Sequence, residues 1–230
     1  MSALLEVREL GYSYPDGDGR RVIYENANVD FEAGKFYALT GDSGSGKTTF
    51  LYVIAGLDRD YRGSVLLEGR NINELGLTAY RRNHVAMVYQ NFNLIPYLSP
   101  LENIEIALDI TDNPVDKSRA AILGLLADVG IDVKKAKLRA SLLSGGEQQR
   151  VAVARALATG SEIIIADEPT GNLDIHASEQ VIAIFRRLAH ESGKCIIMVT
   201  HNPKLAEQAD LWYRIDPEHR TIVPKEAAPC

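Results

Sequence analysis

A glycine-rich loop joins a short predicted strand to a predicted helix in the first quarter of the chain. The segment KFYALT-GDSGSGKTT-FLYVIAGL has the order strand, loop, helix, and the loop matches the P-loop spacing G-x-x-x-x-G-K-[ST]. Glycines allow consecutive backbone N–H groups to turn inward around phosphate oxygens, and the start of a helix adds the positive end of its dipole. We therefore predict that this loop binds the phosphates of a nucleotide, through Gly41, Ser43, Gly44, Ser45, Gly46, Lys47, Thr48 and Thr49.

Two carboxylates follow a buried strand later in the sequence. The apolar run IIIA leads directly into Asp167 and Glu168. Because ligands of an open α/β sheet lie beyond the carboxyl ends of its strands, both acids should lie at the same edge as the P-loop. We expect Lys47 to reach the β- and γ-phosphates, and Thr48 and Asp167 to ligate Mg²⁺. Glu168 is expected to orient or deprotonate the attacking water.

Polar side chains also end two other predicted strands. His201 follows CIIMVT, where a hydrogen-bond donor could contact the γ-phosphate; it could equally be a helix-start residue beside the capping candidates Thr200 and Asn202. Gln90 ends HVAMVY and could ligate Mg²⁺ or the water through its side-chain carbonyl, or it could be an exposed loop residue. Sequence position alone does not decide between these two roles for His201, or between those for Gln90.

A second helix start is suited to bind an anion. In LSGGEQQR, Ser144 and Glu147 have capping-box spacing, and Gly145 and Gly146 leave the N–H groups of the first turn bare. Such a segment could simply be a well-capped helix, yet a bare helix N-terminus also attracts anions. A second phosphate cradle in the same subunit would be redundant. We therefore expect this one to approach a nucleotide from another molecule.

The elements that position these residues show both strand and helix patterns. Residues from about 99 to 160 show helical spacing of their apolar residues. Seven segments have β-strand character: LLEVREL, RVIYENANVDFE, KFYALT, GSVLLEG, HVAMVYQ, SEIIIAD and KCIIMVT. Continuous apolar strands separated by helices indicate a parallel sheet covered on both faces. We predict one α/β domain over residues 1–230, with a P-loop core (1–90 and 160–230) and a mainly parallel sheet. The predicted domain also contains an N-terminal antiparallel β region and a helical subdomain inserted at about 91–159.

Composition narrows the class of protein. The 230 residues are 46% apolar and 24% charged, as in ordinary soluble globular proteins. A net charge of −6, with acidic and basic residues mixed and only small basic clusters at Arg81-Arg82 and Arg186-Arg187, argues against nucleic-acid binding. The N-terminus does not resemble a signal peptide and no apolar run approaches membrane-spanning length, so we expect a cytosolic chain that meets a membrane only through a partner. Cys195 is expected to be buried and Cys230 ends the chain, without disulfide or zinc spacing.

Together, GDSGSGKT, LSGGEQQR and IIIADEP resemble the nucleotide-binding domain of the ATP-binding cassette (ABC) family, over about residues 4–216. The resemblance implies that Tyr14 stacks on adenine, Gln90 is the lid glutamine, and His201 is the switch histidine. Asp174 matches the acid that communicates between subunits. It also implies ATP and Mg²⁺ as cofactors, and an ATP-dependent head-to-tail homodimer in which Ser144, Gly145, Gly146 and Glu147 approach the ATP on the other P-loop.

The family implies docking to a polytopic transmembrane permease subunit near residues 91–100, where Phe92, Leu94, Ile95 and Tyr97 could form an interface patch or belong to the core. Location at the cytoplasmic face of the plasma membrane follows. PTGNLD and NLIPYLSPLENIEIAL are most similar to the branch of lipoprotein-release, macrolide-export, antimicrobial-peptide-resistance and cell-division cassettes of bacteria. The leading interpretation is therefore the ATPase motor of an export or extrusion complex.

Alternatives are a cell-division-type ATPase that transmits force, a soluble ABC ATPase acting on nucleic acid or ribosomes, a scaffold that uses ATP only to dimerise, and a helper in iron–sulfur assembly. The soluble relatives carry coiled coils, zinc modules or a second cassette, which this sequence does not show. The scaffold interpretation is disfavoured because the candidate base Glu168 is present.

Overall fold

The computed structural model describes residues 3–17 and 19–225, which form ten β-strands and eight α-helices. The strands are β1 (Leu5–Asp16), β2 (Gly19–Phe31), β3 (Phe36–Thr40), β4 (Tyr61–Leu67), β5 (Arg70–Asn71), β6 (Val85–Tyr89), β7 (Ile163–Asp167), β8 (Cys195–Val199), β9 (Leu211–Asp216) and β10 (Thr221–Pro224). The helices are α1 (Lys47–Ile54), α2 (Ile72–Leu75), α3 (Leu77–Asn83), α4 (Pro100–Ile110), α5 (Arg119–Asp128), α6 (Gly145–Ala158), α7 (Ile175–Ser192) and α8 (Pro203–Ala206). Among these residues, none of the helices has both the length and the apolar character needed to cross a bilayer.

The larger sheet has six strands in the order β10-β9-β3-β8-β7-β6. The pairs from β9 through β6 are parallel, and only β9 with β10 is antiparallel. The central strands β7 and β8 are apolar apart from Asp167 at the end of β7, because both faces of the sheet are covered, as in doubly wound sheets. Since β3, β8 and β7 are neighbours, the chain segments that follow these three strands emerge side by side at one edge.

The smaller sheet is antiparallel, with the order β2-β1-β4-β5. Its long strands alternate inward apolar side chains with exposed ones, which is the pattern of a sheet with one solvated face. A register shift in β1 between Arg8 and Gly11 bends the strand against β4. The β1–β2 hairpin carries Tyr14 towards the larger sheet.

Helices α4, α5 and α6 pack together and share an apolar core with one face of the larger sheet. Ile104 of α4, Ile122 of α5 and Val151 of α6 are fully buried within it. The opposite face of the sheet, α1 and the smaller sheet bury a second apolar core. These arrangements confirm the predicted fold class: a P-loop α/β core, a mainly parallel sheet, an N-terminal antiparallel region and an inserted group of helices.

Local details agree with the sequence prediction at some positions and correct it at others. Cys195 is buried, and the predicted cap Asn202 accepts a hydrogen bond from the Lys204 N–H before α8. Helices α2 and α3 were not predicted. Residues 221–224 form β10 because they pair with β9, a contact that only the fold supplies. Cys230 lies outside the described residues.

The strand bend yields a test of stability. Gly63 has φ 89°, and an added Cβ would lie 2.4 Å from the carbonyl oxygens of both Arg8 and Glu9. Gly69 has φ 77° but open space around it. Gly69→Ala should therefore lower the free energy of unfolding by about 1 kcal/mol through backbone strain alone. Gly63→Ala should lower it by at least about 3 kcal/mol because backbone must also move.

Denaturant titration of both variants measures this difference. Equal destabilisation by Gly63→Ala and Gly69→Ala would show that the close approach of β4 to the bend in β1 does not constrain the fold.

Candidate functional site

The P-loop lies between the end of β3 and the start of α1, as predicted. Gly46 precedes α1 with φ 101°, and a Cβ there would lie 2.3 Å from Ile23 Cγ2, so the position requires glycine. The Lys47 ammonium is nearly buried and donates hydrogen bonds of 2.8 Å to the carbonyl oxygens of Gly41 and Asp42. These bonds fold the loop around the lysine and fix its backbone.

A cavity of about 530 Å³ opens above this loop, and we call it the nucleotide cavity. Its lining combines the phosphate loop with residues from the β1–β2 hairpin and from the ends of β7 and β8. The hydroxyl of Ser45 is buried in the loop and has no hydrogen-bond partner within the described chain. The lining residues are Tyr14, Arg21, Ile23, Ser43, Gly44, Gly46, Lys47, Thr48, Thr49, Glu168 and His201.

Two oxygen donors suited to a magnesium ion lie together at the edge of this cavity. The Thr48 hydroxyl is 3.5 Å from Asp167 Oδ1, although 119 residues separate them in the chain. Partial burial raises the pKa of Asp167, and the neighbouring Glu168 carboxylate acts in the same direction, whereas Thr48 and Lys47 oppose the shift. A hydroxyl and a carboxylate are hard donors, which fit the site to a cation that takes its remaining ligands from phosphate and water.

Glu168 and His201 form a hydrogen-bonded pair beside Thr48 and Asp167. The distance from His201 Nδ1 to Glu168 Oε2 is 2.9 Å. Glu168 has φ 46°, an uncommon left-handed conformation for a side chain other than glycine, and its N–H donates to the Val199 carbonyl of β8. This backbone turn aims the carboxylate into the cavity and away from the course of β7.

The hairpin supplies the opposite wall. The Tyr14 ring is 42% exposed, packs edge-on against Tyr12 with 5.0 Å between centroids, and its hydroxyl lies 2.6 Å from Thr49 Oγ1. Sequence reasoning missed Arg21 and Ile23, which also line the cavity. Arg21 pairs with Tyr14 across the hairpin, so strand alternation opposite a known wall residue is the signal that could have found both.

Gln90 lies close to the end of β7 but is turned towards another loop. Its Nε2 donates to Asn172 Oδ1 at 3.3 Å, and Asn172 Nδ2 donates to the Gln90 carbonyl at the same distance. A Cβ on Gly171 would lie 2.6 Å from the Gln90 amide nitrogen. In this conformation the Gln90 side chain contacts the 171–172 turn, and it is not among the residues that line the nucleotide cavity.

The segment LSGGEQQR, residues 143–150, which we call the signature segment, begins α6 as a complete capping box. Ser144 accepts from the Glu147 N–H, and Glu147 Oε2 accepts from the Ser144 N–H at 2.9 Å. A Cβ on Gly146 would lie 2.8 Å from the Cβ of Ala177 in α7, so this glycine allows close packing of the two helix starts.

A second cavity of about 320 Å³, the signature cavity, lies at this point. Ser144, Gly145 and Gly146 line it together with Asp174, which caps α7 by accepting from the Ala177 N–H at 2.9 Å. The nucleotide cavity and the signature cavity share no lining residue. One chain therefore carries two separate sites suited to anions.

Comparison with known proteins agrees with this geometry. Residues 24–171 match the family model described as ABC transporter. The chain is 39% identical over 213 residues to the uncharacterized ABC transporter ATP-binding protein YclH of Bacillus subtilis, covering 93% of each chain. It is 40% identical over 211 residues to the macrolide export ATP-binding/permease protein MacB of Agrobacterium fabrum, covering 90% of this chain and 32% of MacB.

Solved structures show the same fold. The dimeric ABC transporter cassette MJ0796 superposes with a TM-score of 0.84 at 33% identity, covering 95% of this chain and 96% of that chain. A post-hydrolysis dimer of the same cassette, bound to ADP and Pi, superposes with a TM-score of 0.85 at 31% identity, covering 98% and 100%. The phosphate loop, the acid pair, the signature segment and these matches agree, and the chain belongs to the ABC transporter family as an ATP-binding, ATP-hydrolysing cassette.

Proposed function

We propose that this cassette is the motor of an export or extrusion complex, in which ATP binding and hydrolysis at paired cassettes drive a membrane partner. The observation that carries the proposal is the division of anion-binding elements between two cavities with no residue in common. Because the two cavities share no lining residue, we propose that a phosphate loop and a capped helix start act on the same ATP from different subunits.

ATP would occupy the nucleotide cavity with its phosphates in the loop. The ammonium of Lys47 and the N–H groups around Gly44 and Gly46 face the negative charge. The unpartnered Ser45 hydroxyl is buried and is not among the lining residues, so it can donate to a phosphate oxygen only if nucleotide binding shifts the loop, and we propose that it does. Tyr14 offers an exposed aromatic face to the adenine. The hairpin would thus hold the base by stacking while the loop holds the triphosphate.

Hydrolysis requires a water aligned with the γ-phosphorus. Glu168 accepts the proton of this water as its oxygen attacks, and the bond from phosphorus to the ADP oxygen breaks. His201 holds the carboxylate through the 2.9 Å contact. Magnesium, which Thr48 and Asp167 would hold, supplies positive charge to the phosphate oxygens. The side chain of Gln90 reaches this site only if it leaves Asn172, and we propose that nucleotide binding draws it in.

In the proposed head-to-tail dimer, the signature cavity of one subunit covers the γ-phosphate held by the other. Ser144, Gly145 and Gly146 contribute the bare helix start, Glu147 closes the capping box, and Asp174 lies beside them at the start of α7. ABC cassettes dimerise and pair with transmembrane subunits, and MJ0796 provides a dimeric example.

The membrane partner is proposed to be a separate or fused polytopic permease that contacts residues 91–100 from the cytoplasmic side. In that segment Tyr97 is 70% exposed, while Phe92, Leu94 and Ile95 are half-buried. The similarity to MacB, which carries its permease in the same chain by name, supports an export role for the complex.

The buried Ser45 hydroxyl gives one test. A buried hydroxyl without a partner costs free energy, so Ser45→Ala should leave the unfolding free energy of the nucleotide-free protein unchanged or raise it by about 1 kcal/mol. The same change should weaken ATP binding by about five- to tenfold because a phosphate loses a donor. Calorimetric titration with ATP and denaturant unfolding measure the two effects.

Ser43→Ala removes an exposed hydroxyl from the same loop and should not change stability. A loss of stability in Ser45→Ala with unchanged ATP affinity would assign the hydroxyl a structural role.

The proposed base gives a second test. Glu168→Gln should lower the ATP turnover number by about a hundredfold or more while ATP affinity is retained, since an amide cannot accept the water proton. The variant should also accumulate an ATP-bound dimer, measured by size exclusion with light scattering. Phosphate release gives the turnover number.

Glu162→Gln is the matched control, since Glu162 precedes the same strand at its other end and pairs with His84. It should turn over ATP like the unaltered protein. Unaltered turnover in Glu168→Gln would remove Glu168 from the role of base.

The membrane partner can be sought directly. Tagged Glu168→Gln protein, purified with ATP from its native membranes, should carry a polytopic membrane protein in stoichiometric amount, identified by mass spectrometry. Adding Tyr97→Ser should reduce this recovery, because an exposed aromatic ring in the proposed contact is lost. Adding Leu57→Ser instead, at a 46% exposed apolar residue elsewhere, should not.

Recovery of soluble partners or nucleic acid alone would leave the ATPase chemistry intact and overturn the membrane assignment.

A further inference from the structure

The signature segment contains an acid where an anion is expected to bind. Glu147 occupies the first turn of α6, three residues after its cap Ser144. The carboxylate completes the capping box and so favours the helix, but its negative charge also opposes the approach of a triphosphate to the same helix start. The proposed dimer therefore needs this charge to be compensated.

Lys135 provides the compensation. Its Nζ lies 2.6 Å from Glu147 Oε1, while the other carboxylate oxygen accepts from the Ser144 N–H. The Glu147 side chain is mostly buried at 16% exposure. The hydrogen bond from Lys135, together with that from the Ser144 backbone, lowers the pKa of Glu147 to about 2, and the same contact raises the pKa of Lys135. The pair is therefore fully ionised at neutral pH.

The lysine is held in place by its own turn. Asp132 Oδ1 accepts from the N–H groups of both Lys134 and Lys135, at 2.8 and 2.9 Å, just before the short 3₁₀ turn Lys135–Lys137. Ala136 in this turn is fully buried, which anchors it against the helices. The ammonium therefore arrives at Glu147 on a fixed backbone.

The neighbouring charges do not replace it. Arg150, one turn further along α6, donates to Gln180 Oε1 at 2.7 Å and lines the signature cavity. Arg150 contributes its charge with or without Lys135. Removal of the lysine therefore makes the surroundings of the first turn of α6 more negative by one charge. Because the bare N–H groups of this turn carry only a partial positive charge, an uncompensated carboxylate would cancel much of their attraction for an anion.

We propose that Lys135 is a positioning residue for ATP-driven dimerisation: by holding and neutralising Glu147, it preserves the attraction of the α6 start for the triphosphate bound to a second copy of this chain. The inference rests on the proposed function. It concerns the signature cavity alone, so nucleotide affinity of the isolated subunit should not depend on Lys135.

The test is the ATP-dependent monomer–dimer equilibrium, measured by sedimentation in a Glu168→Gln background that does not consume the nucleotide. Lys135→Met should raise the dimer dissociation constant on the order of tenfold, since the charge is lost at both sites of the dimer, and less at high salt. Lys135→Arg should dimerise like the parent. Lys134→Met removes a neighbouring charge that does not contact Glu147 and serves as the matched control.

Glu147→Gln separates this role from a merely structural ion pair. Glutamine keeps the capping box but removes the opposing charge, so Glu147→Gln should dimerise at least as well as the parent, and Lys135→Met/Glu147→Gln should recover the loss. If the pair only stabilised the fold, Glu147→Gln and Lys135→Met would weaken dimerisation equally, because each breaks the contact. That result, or an unaffected Lys135→Met variant that binds ATP, would overturn the inference.

The behaviour of the parent protein with ATP separates a failure of the proposed dimer from a failure of the role proposed for Lys135. A parent that remains monomeric with ATP would overturn the head-to-tail arrangement and this inference with it. A dimerising parent with dimerisation insensitive to Lys135 would overturn only the inference.

Discussion

The nucleotide cavity depends on one nearly buried ammonium group. Lys47 donates to the carbonyl oxygens of Gly41 and Asp42, and thereby ties the beginning of the loop to the first turn of α1. A buried cation is costly unless it is hydrogen-bonded, so the loop closes around the lysine. Both partners are carbonyl oxygens and not carboxylates, so the positive charge is solvated without being cancelled. The same bonds that shape the loop leave it attractive to phosphate.

Parallel strand pairing brings the remaining chemistry to this loop. The order of β3, β8 and β7 places the P-loop, His201 and the two acids at the ends of three adjacent strands. The electrostatic cost of this arrangement is visible at Asp167. Burial and the neighbouring Glu168 carboxylate both raise its pKa. Thr48 and Lys47 offset that cost from across the strand ends. Thr48 and Lys47, which are far from Asp167 in sequence, thus stabilise its ionised form.

Sequence alone predicted the parts of the site that follow from local chemistry. The P-loop, the acids after β7 and the capping box at Ser144 are each specified within a few residues, and the fold class follows from strand and helix periodicity. Arg21 was missed because its place in the cavity depends on strand pairing within the hairpin. Lys135 was missed because its partner Glu147 lies in another element, beyond a turn. The orientation of Gln90 towards Asn172 is likewise a tertiary contact that no local pattern encodes.

The connection between β7 and α7 touches both cavities. It begins at Glu168, which lines the nucleotide cavity, and ends at Asp174, which lines the signature cavity beside Gly146. An added Cβ on Gly146 would lie 2.8 Å from the Cβ of Ala177, so α6 and α7 approach each other closely at this point. In a dimer of the proposed kind, each such connection borders two different ATP molecules. The kinetic unit is then the pair of sites, and ATP turnover should be cooperative even though every subunit is identical.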